Sequence, residues 1–388
     1  MDREAEKVLE GFHPAVRDWF ARRFQAPTEP QMHGWPVIGE GSNTLITAPT
    51  GSGKTLAAFL WCIDYLVQLG VQGRLADEVH VVYISPLKAL TNDIQRNLVE
   101  PLSGIRDLAR QAGVELPELR SAVRTGDTAA SERASMRRRP PHILITTPES
   151  LFILLTSEQF RAALTSVRYV IVDEIHAVAE DKRGVHLSLS LERLSHLARR
   201  EPVRIGLSAT VHPIETMAHF LVGGEWRGGS LAPRPCRVVA SDTLREMDLE
   251  VIAPMPELGA VATNAVWEAT YNRLADLIRT HQNTLIFCNS RRLTERVAVR
   301  LSERLGEDQV AAHHGSLSRR HRLQTEARLK AGEIKVVVAT GSLELGIDVG
   351  SIDLVCQIES PRSIAVAVQR IGRSGHHLGQ TPKGASWH

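Results

Sequence analysis

Short apolar runs, each closed by a polar or glycine-bearing turn, recur through the first half of the chain: NTLITAPTGSGKT, HVVYISPLKAL, HILITTPESL, YVIVDEIH and RIGLSAT. Between them the apolar positions return at helical spacing. Past SPLKAL, for instance, Leu87, Leu90, Ile94 and Leu98 share one face, with Ser85 expected as N-cap and Pro86 in the first turn. Strand, polar turn and helix in repetition predict a parallel sheet covered on both faces. The rhythm resumes in NTLIFCNSR, VAAHHGSLS, KVVVATGSLELGID and LVCQIESP, where Ser290 is placed to cap a helix carrying Leu293, Val297 and Leu301. The pattern thus predicts an α/β chain of two domains, 1–230 and 231–388. The Gly- and Pro-rich VGGEWRGGSLAPRPC, Val222 to Cys236, is the expected linker, and RRRPP, Arg137 to Pro141, reads as a solvated loop.

A length of 388 residues agrees with two domains rather than one core. No run approaches the ~18 apolar residues of a membrane span, and the charged opening MDREAEKVLE is not a secretory leader. A soluble chain with no membrane partner is expected. Cys62, Cys236, Cys288 and Cys356 lie far apart, which disfavours a zinc site or a disulfide framework and fits a reducing cytoplasm. With 46 Lys+Arg against 44 Asp+Glu, composition carries no nucleic-acid footprint. Any anionic partner has to be held by locally arranged groups.

Ligands of open parallel sheets gather at the carboxyl ends of the strands, and the polar clusters above all lie there. APTGSGKT, Ala48 to Thr55, leaves a strand and opens a helix. It fits the phosphate-loop pattern, with Ala48 in place of the first glycine. Gly51 and Gly53 let the loop wrap so that the backbone N–H groups of Thr50, Gly51, Ser52 and Gly53 and the helix N-terminus meet phosphates. Lys54 would reach the β and γ groups and Thr55 a Mg²⁺ ion.

Asp173 and Glu174 end an apolar run, and burying them unpaired would cost several kcal/mol. A Mg²⁺ held by Thr55 and the nucleotide is the missing charge for Asp173, while Glu174 can take a proton from the water that attacks the γ-phosphate. His176 reads either as functional or as a structural link to neighbouring groups. Ser208 and Thr210 put two hydroxyls at a strand end, which alone is also what an N-cap looks like. QRIGRSGH, Gln369 to His376, offers arginines on an expected helix. From Arg362 to the end there are four Lys/Arg and no acids, either an anion-facing surface or a solvated basic tail.

Taken in order, PTEPQ, APTGSGKT, SPLKAL, TTPESL, DEIH, SAT, IFCNSR, HHGSLS, ATGSLELGID and QRIGRSGH resemble the motif set of superfamily-two helicases, from about Phe24 to His376. DEIH, followed by RGVHLSLSLERL, is most similar to the large helicase-related (Lhr) group of ATP-driven translocases. The resemblance implies two tandem RecA-like domains with ATP and Mg²⁺ in a cleft between them. It implies an adenine-reading role for Gln31 with Thr28, metal binding by Thr55 and Asp173, water activation by Glu174, and coupling through His176, Ser208 and Thr210. Gly346 and Asp348 would contact the nucleotide, Asp348 at the ribose. Gln369 would orient the γ-phosphate or its water, and Arg373 would be an arginine finger. Ser85, Lys88, Thr147, Ser290, Arg291, Gly315, Ser316 and Thr340 would hold a single DNA strand or an RNA–DNA hybrid by its phosphates, without reading sequence.

Two departures stand out. His376 replaces an arginine that closes the last motif in many relatives, with Arg370 a possible substitute, and relatives continue into further strand-gripping modules, so the chain reads as a motor core. The expected activity is 3′ to 5′ translocation on single-stranded DNA by a cytoplasmic monomer. The alternatives are an RNA remodeller of the DEAD-box type and an ATP-gated nucleic-acid clamp with little turnover.

Overall fold

The structure is a computed structural model. It describes the chain except for Met1, Asp2, Thr50, Leu87, Glu180, residues 210–212, 242–246, 255–263, 344–351, Arg362, residues 376–381 and His388. Two compact units emerge, Met1–Asp242 and Thr243–His388.

In the first unit the strands are β1 (Thr44–Thr47), β2 (Val81–Ile84), β3 (Ser121–Arg124), β4 (Ile143–Thr146), β5 (Tyr169–Val172), β6 (Val203–Ser208), a hairpin of β7 (Gly224–Arg227) and β8 (Ser230–Pro233), and β9 (Arg237–Ala240). Seven of them form one sheet, ordered β3-β4-β2-β5-β6-β1-β9, and every pairing in it is parallel. Successive side chains of a strand point to opposite faces. Ile46, Val81, Tyr83, Ile145 and Ile171 therefore enter one core, and Leu45, Val82, Ile84, Leu144 and Val172 the other. Because both faces are covered, the central strands are continuous apolar runs rather than alternating ones.

In the second unit β10 (Asp248–Ile252), β11 (Thr284–Phe287), β12 (Val310–His313), β13 (Val336–Ala339), β14 (Leu354–Ile358) and β15 (Lys383–Trp387) make a second all-parallel sheet, β10-β15-β14-β11-β13-β12. Ser290 caps the helix Arg291–Leu305 as expected, its Oγ accepting Leu293 N–H at 3.2 Å. Leu293, Val297 and Leu301 on that helix are buried.

Three expectations are corrected. The units divide after Asp242 rather than after residue 230, because Arg237–Ala240 pairs with β1 and belongs to the first sheet. The presumed linker contains the β7–β8 hairpin, turning through Gly228 and Gly229 at φ +56° and +85°. Arg137 and Arg138 close the helix Ala130–Arg138 rather than lying in a loop.

The helix Lys54–Val71 is, among the described residues, the one long and apolar enough by length and composition alone to cross a membrane, and more than half of it is buried inside the first unit. Its apolarity has a local cause: Ala57, Phe59, Leu60, Ile63 and Leu66 are packed into the core behind β1.

Candidate active site

The loop after β1 turns into the helix Lys54–Val71 through Gly51 and Gly53, at φ +80° and +84°. Both angles lie in the left-handed region that glycine enters without steric cost. Lys54 is 5 % exposed; its ammonium donates to the loop carbonyls Ala48 O at 3.3 Å and Pro49 O at 3.5 Å, and its charge opposes the upward push on Asp173. A buried cation with no ion pair within 4 Å among the described residues is set to receive an anion. Gln31 borders the loop, donating from Nε2 to Gly53 O at 3.3 Å and accepting Thr28 N–H on Oε1 at 2.9 Å.

At the end of β5, Asp173 and Glu174 are 4 % and 5 % exposed. Asp173 Oδ2 accepts the phenol of Tyr83 from β2, and Oδ1 accepts Glu174 N–H at 2.9 Å. Burial, and then the neighbouring Glu174 carboxylate, push the Asp173 carboxyl upward. Glu174 is one of two non-glycine residues described at positive φ, here +46°, a sparsely populated conformation for a side-chain-bearing residue. Its buried Oε2 has no hydrogen-bond partner, the nearest cation-forming atom being His176 Nε2 at 3.6 Å.

His176 joins this carboxylate to the end of β6. Its Nδ1 lies 3.1 Å from Ser208 Oγ and accepts Ala209 N–H at 3.3 Å. An Nδ1 that accepts a backbone N–H carries no proton, so the neutral ring is protonated on Nε2, toward Glu174.

Three buried polar atoms without a partner surround this edge: Thr28 Oγ1, Ser52 Oγ and Glu174 Oε2. With the uncapped helix N-terminus and Lys54, they fit a nucleoside triphosphate. Among the described residues no group of His, Cys, Asp or Glu could hold a metal by itself. Thr55 and Asp173 supply oxygen donors of the kind magnesium takes alongside nucleotide phosphates and water.

In the second unit Gln369 lies on the helix Ile364–Ile371, with Nε2 buried and lacking a hydrogen-bond partner. Arg373, in the turn that follows, is 1 % exposed. The guanidinium of Arg370, the possible substitute finger, lies over the Phe287 ring, 5.0 Å from the centroid, and donates to Gln357 Oε1 at 2.5 Å and Asn289 Oδ1 at 3.4 Å, contacts that link β11 to β14.

The strand-binding candidates fall on the same carboxyl edges. In the first unit Ser85 follows β2 and Thr147 follows β4, where Thr147 caps the helix Pro148–Thr156. In the second, Ser290 and Arg291 follow β11, Gly315 and Ser316 follow β12, and Thr340 follows β13; these three strands are adjacent. Arg291 Nη1 donates to Ser316 Oγ at 2.6 Å. Thr50, Thr210, Gly346, Asp348 and His376, with the side chain of Lys88, lie outside the described residues. Sequence reasoning missed Tyr83, whose signal is a lone hydroxyl in an otherwise apolar strand, and Ala209, which takes part through its backbone.

Comparison with known proteins agrees with this arrangement. A DEAD/DEAH box helicase model matches residues 28–217, and a helicase conserved C-terminal domain model matches residues 269–377. The ATP-dependent helicase Lhr-Core of Methanothermobacter thermautotrophicus is 54 % identical over 376 residues, covering 96 % of this chain and 43 % of the relative. The structure of Mycobacterium smegmatis helicase Lhr bound to single-stranded DNA and AMP-PNP superposes with a TM-score of 0.87 at 47 % identity, covering 98 % of this chain and 48 % of that one. The DEAD-box helicase Mss116 bound to single-stranded RNA shares the fold, with a TM-score of 0.80 at 18 % identity, covering all of this chain and 75 % of that one. The chain thus spans less than half the length of these two Lhr relatives. Two tandem helicase domains in this order, on two parallel sheets of the RecA type, make the chain a member of the superfamily-two helicases, similar to the motor core of the Lhr group.

Proposed function

We propose that this chain is an ATP-driven nucleic-acid motor, hydrolysing ATP with magnesium and moving 3′ to 5′ along single-stranded DNA to separate DNA or RNA–DNA duplexes. The observation that carries the reading is Glu174, a buried carboxylate with an unpartnered oxygen, fixed at positive φ on the sheet edge that also bears Lys54. In this reading Lys54 neutralises the β and γ phosphates, and Glu174 accepts the proton of the attacking water. Thr55 and Asp173 would hold the magnesium ion, which supplies further neutralisation of phosphate charge. His176 orients Glu174 and ties it to Ser208. Gln369 and Arg373 keep the roles implied by the resemblance, orienting water or phosphate and stabilising charge in phosphoryl transfer.

Single-stranded DNA is the preferred strand because the Lhr relative at 47 % identity was captured with it. Ser85, Thr147, Ser290, Arg291, Ser316 and Thr340 hold its phosphates, so binding is independent of sequence and weakens with salt. A monomer in the cytoplasm completes the proposal. Steady-state ATP hydrolysis with single- and double-stranded DNA, RNA and hybrids, followed by displacement from 3′- and 5′-tailed partial duplexes, tests it. Stimulation by single-stranded DNA with displacement only from 3′ tails is expected. Stimulation by RNA alone identifies a remodeller, and binding without turnover a clamp; either defeats the proposal.

A further inference from the structure

We propose that His314, acting with Glu295, is a positioning residue that presets the strand-binding edge of the second unit. The inference rests on reading Arg291, Gly315 and Ser316 as phosphate contacts. Arg291 opens the helix after β11, whereas Ser316 follows β12, with β13 between the two strands. An exposed arginine samples many rotamers, and fixing one costs up to about 2 kcal/mol of side-chain entropy. Four side chains meet that cost in advance.

Arg291 Nη1 donates to Ser316 Oγ at 2.6 Å. The N–H of Ser316 in turn donates to His314 Nδ1 at 3.3 Å. An Nδ1 that accepts this N–H carries no proton, so neutral His314 bears its proton on Nε2, which faces Glu295 Oε1 at 2.6 Å. Glu295 lies one helical turn beyond Arg291 on the helix Arg291–Leu305. The contacts therefore close into a ring, from Arg291 through Ser316, His314 and Glu295 back along the helix.

The ring has one buried member. His314 is 5 % exposed, while Arg291, Glu295, Gly315 and Ser316 are exposed. The buried imidazole is the fixed point, held by Glu295 on one nitrogen and holding Ser316 N–H on the other, and the phosphate-facing groups stand above it. Arg291 spends one of its five N–H donors on Ser316, and Ser316 Oγ, as an acceptor in that bond, keeps its own proton to give. Both groups remain competent for a phosphate oxygen while pinned in place, which lowers the entropy lost on binding.

The test separates the two ring nitrogens. Asparagine places an acceptor where Nδ1 stood; glutamine reaches the position of Nε2 instead. We expect His314→Ala to raise the single-stranded DNA concentration for half-maximal ATPase stimulation about 5- to 10-fold, the scale of one lost sheltered hydrogen bond. Turnover at saturating strand should stay within about 2-fold, since the ring touches no nucleotide group. His314→Asn, which keeps the acceptor for Ser316 N–H but not the Glu295 contact, should recover most of the strand dependence and His314→Gln should not.

Thermal unfolding of all three variants guards against misfolding, and should the alanine variant unfold, the Asn and Gln pair still decides. Wild-type strand dependence in His314→Ala, or equal behaviour of Asn and Gln, overturns the inference and leaves the motor reading intact. A wild-type protein that responds to no strand overturns both. Nitrogen-15 spectra of the His314 ring, read without any strand, are expected to show the Nε2–H tautomer; the Nδ1–H tautomer also overturns the inference.

Discussion

Tyr83, in the middle of β2, donates its phenolic hydrogen to Asp173, the first residue beyond the neighbouring strand β5. The ring is fully buried and stacks on Phe59 of the helix Lys54–Val71, with centroids 4.8 Å apart. Burial first, and then the Asp173 and Glu174 carboxylates, push the phenol well above its ordinary pKa, so it stays a donor. Tyr83→Phe leaves a buried carboxylate oxygen short of one partner. The expected loss is about 1–2 kcal/mol, or roughly 3–6 °C in the unfolding midpoint of a domain this size, together with reduced turnover. Calorimetry and steady-state ATPase measure both, and an unchanged midpoint would mean the phenol does not hold Asp173.

Glu174→Gln keeps the shape of the side chain and removes its capacity to take a proton. ATP affinity should remain within about 3-fold of wild type, while hydrolysis should fall by at least ~100-fold, the usual worth of a general base. Lys54→Ala, by contrast, should lose ATP affinity as well, because the buried ammonium is the loop's only described side-chain cation. Equilibrium binding of a fluorescent ATP analogue beside steady-state hydrolysis separates the two variants.

What the sequence revealed, and what it hid, follows from burial. β1, β2, β4, β5, β6, β11, β13 and β14 are buried on both faces, so TLIT, VVYI, ILIT, YVIV, TLIF and VVVA read as unbroken apolar runs ending in polar turns. The edge strands β3, β9 and β10 are partly exposed and carry Ser121, Arg124, Arg237 and Glu250, which break that signal. The β7–β8 hairpin carries Gly224, Gly228, Gly229 and Pro233 in ten residues and passes for a linker. Within the site, Lys54, Asp173 and Glu174 belong to contiguous motifs and were legible. Tyr83 meets Asp173 through the register of β2 on β5, and His314 meets Glu295 through the packing of the helix Arg291–Leu305 against β12, neither of which one-dimensional spacing encodes.

His142 sets an expectation for pH. Its ring is 2 % exposed, and burial first, then Arg120, push its pKa down to about 4. Nδ1 accepts the N–H of Arg120 at 3.1 Å, which needs a neutral ring. In the unfolded chain the imidazole takes a proton near pH ~6.5. Between that pH and about 4 the unfolded state binds a proton that the native state does not, so stability falls as pH falls through this window. His142→Asn retains the acceptor and loses the titration. The difference in unfolding midpoint between wild type and variant should therefore change across this window and level off above it. Asp64, raised to about 6 by burial, acts in the opposite sense but equally in both proteins.

Gly53 and Gly73 stand just outside the two ends of the helix Lys54–Val71, at φ +84° and +67°. An alanine at either position would be forced into the left-handed region at a cost of about 1–2 kcal/mol. Their surroundings differ. A Cβ on Gly53 would lie 2.7 Å from Gln31 Nε2 and 2.9 Å from Thr28 Oγ1, whereas one on Gly73 meets nothing within 4 Å. Gly73→Ala should therefore lower the unfolding midpoint and leave nucleotide binding untouched. Gly53→Ala should in addition displace Gln31 and Thr28 from the loop and weaken ATP binding by at least ~10-fold, on the scale of two disturbed polar contacts. If the two variants bind ATP alike, backbone strain alone governs this loop, and Gln31 and Thr28 play no part in holding the nucleotide.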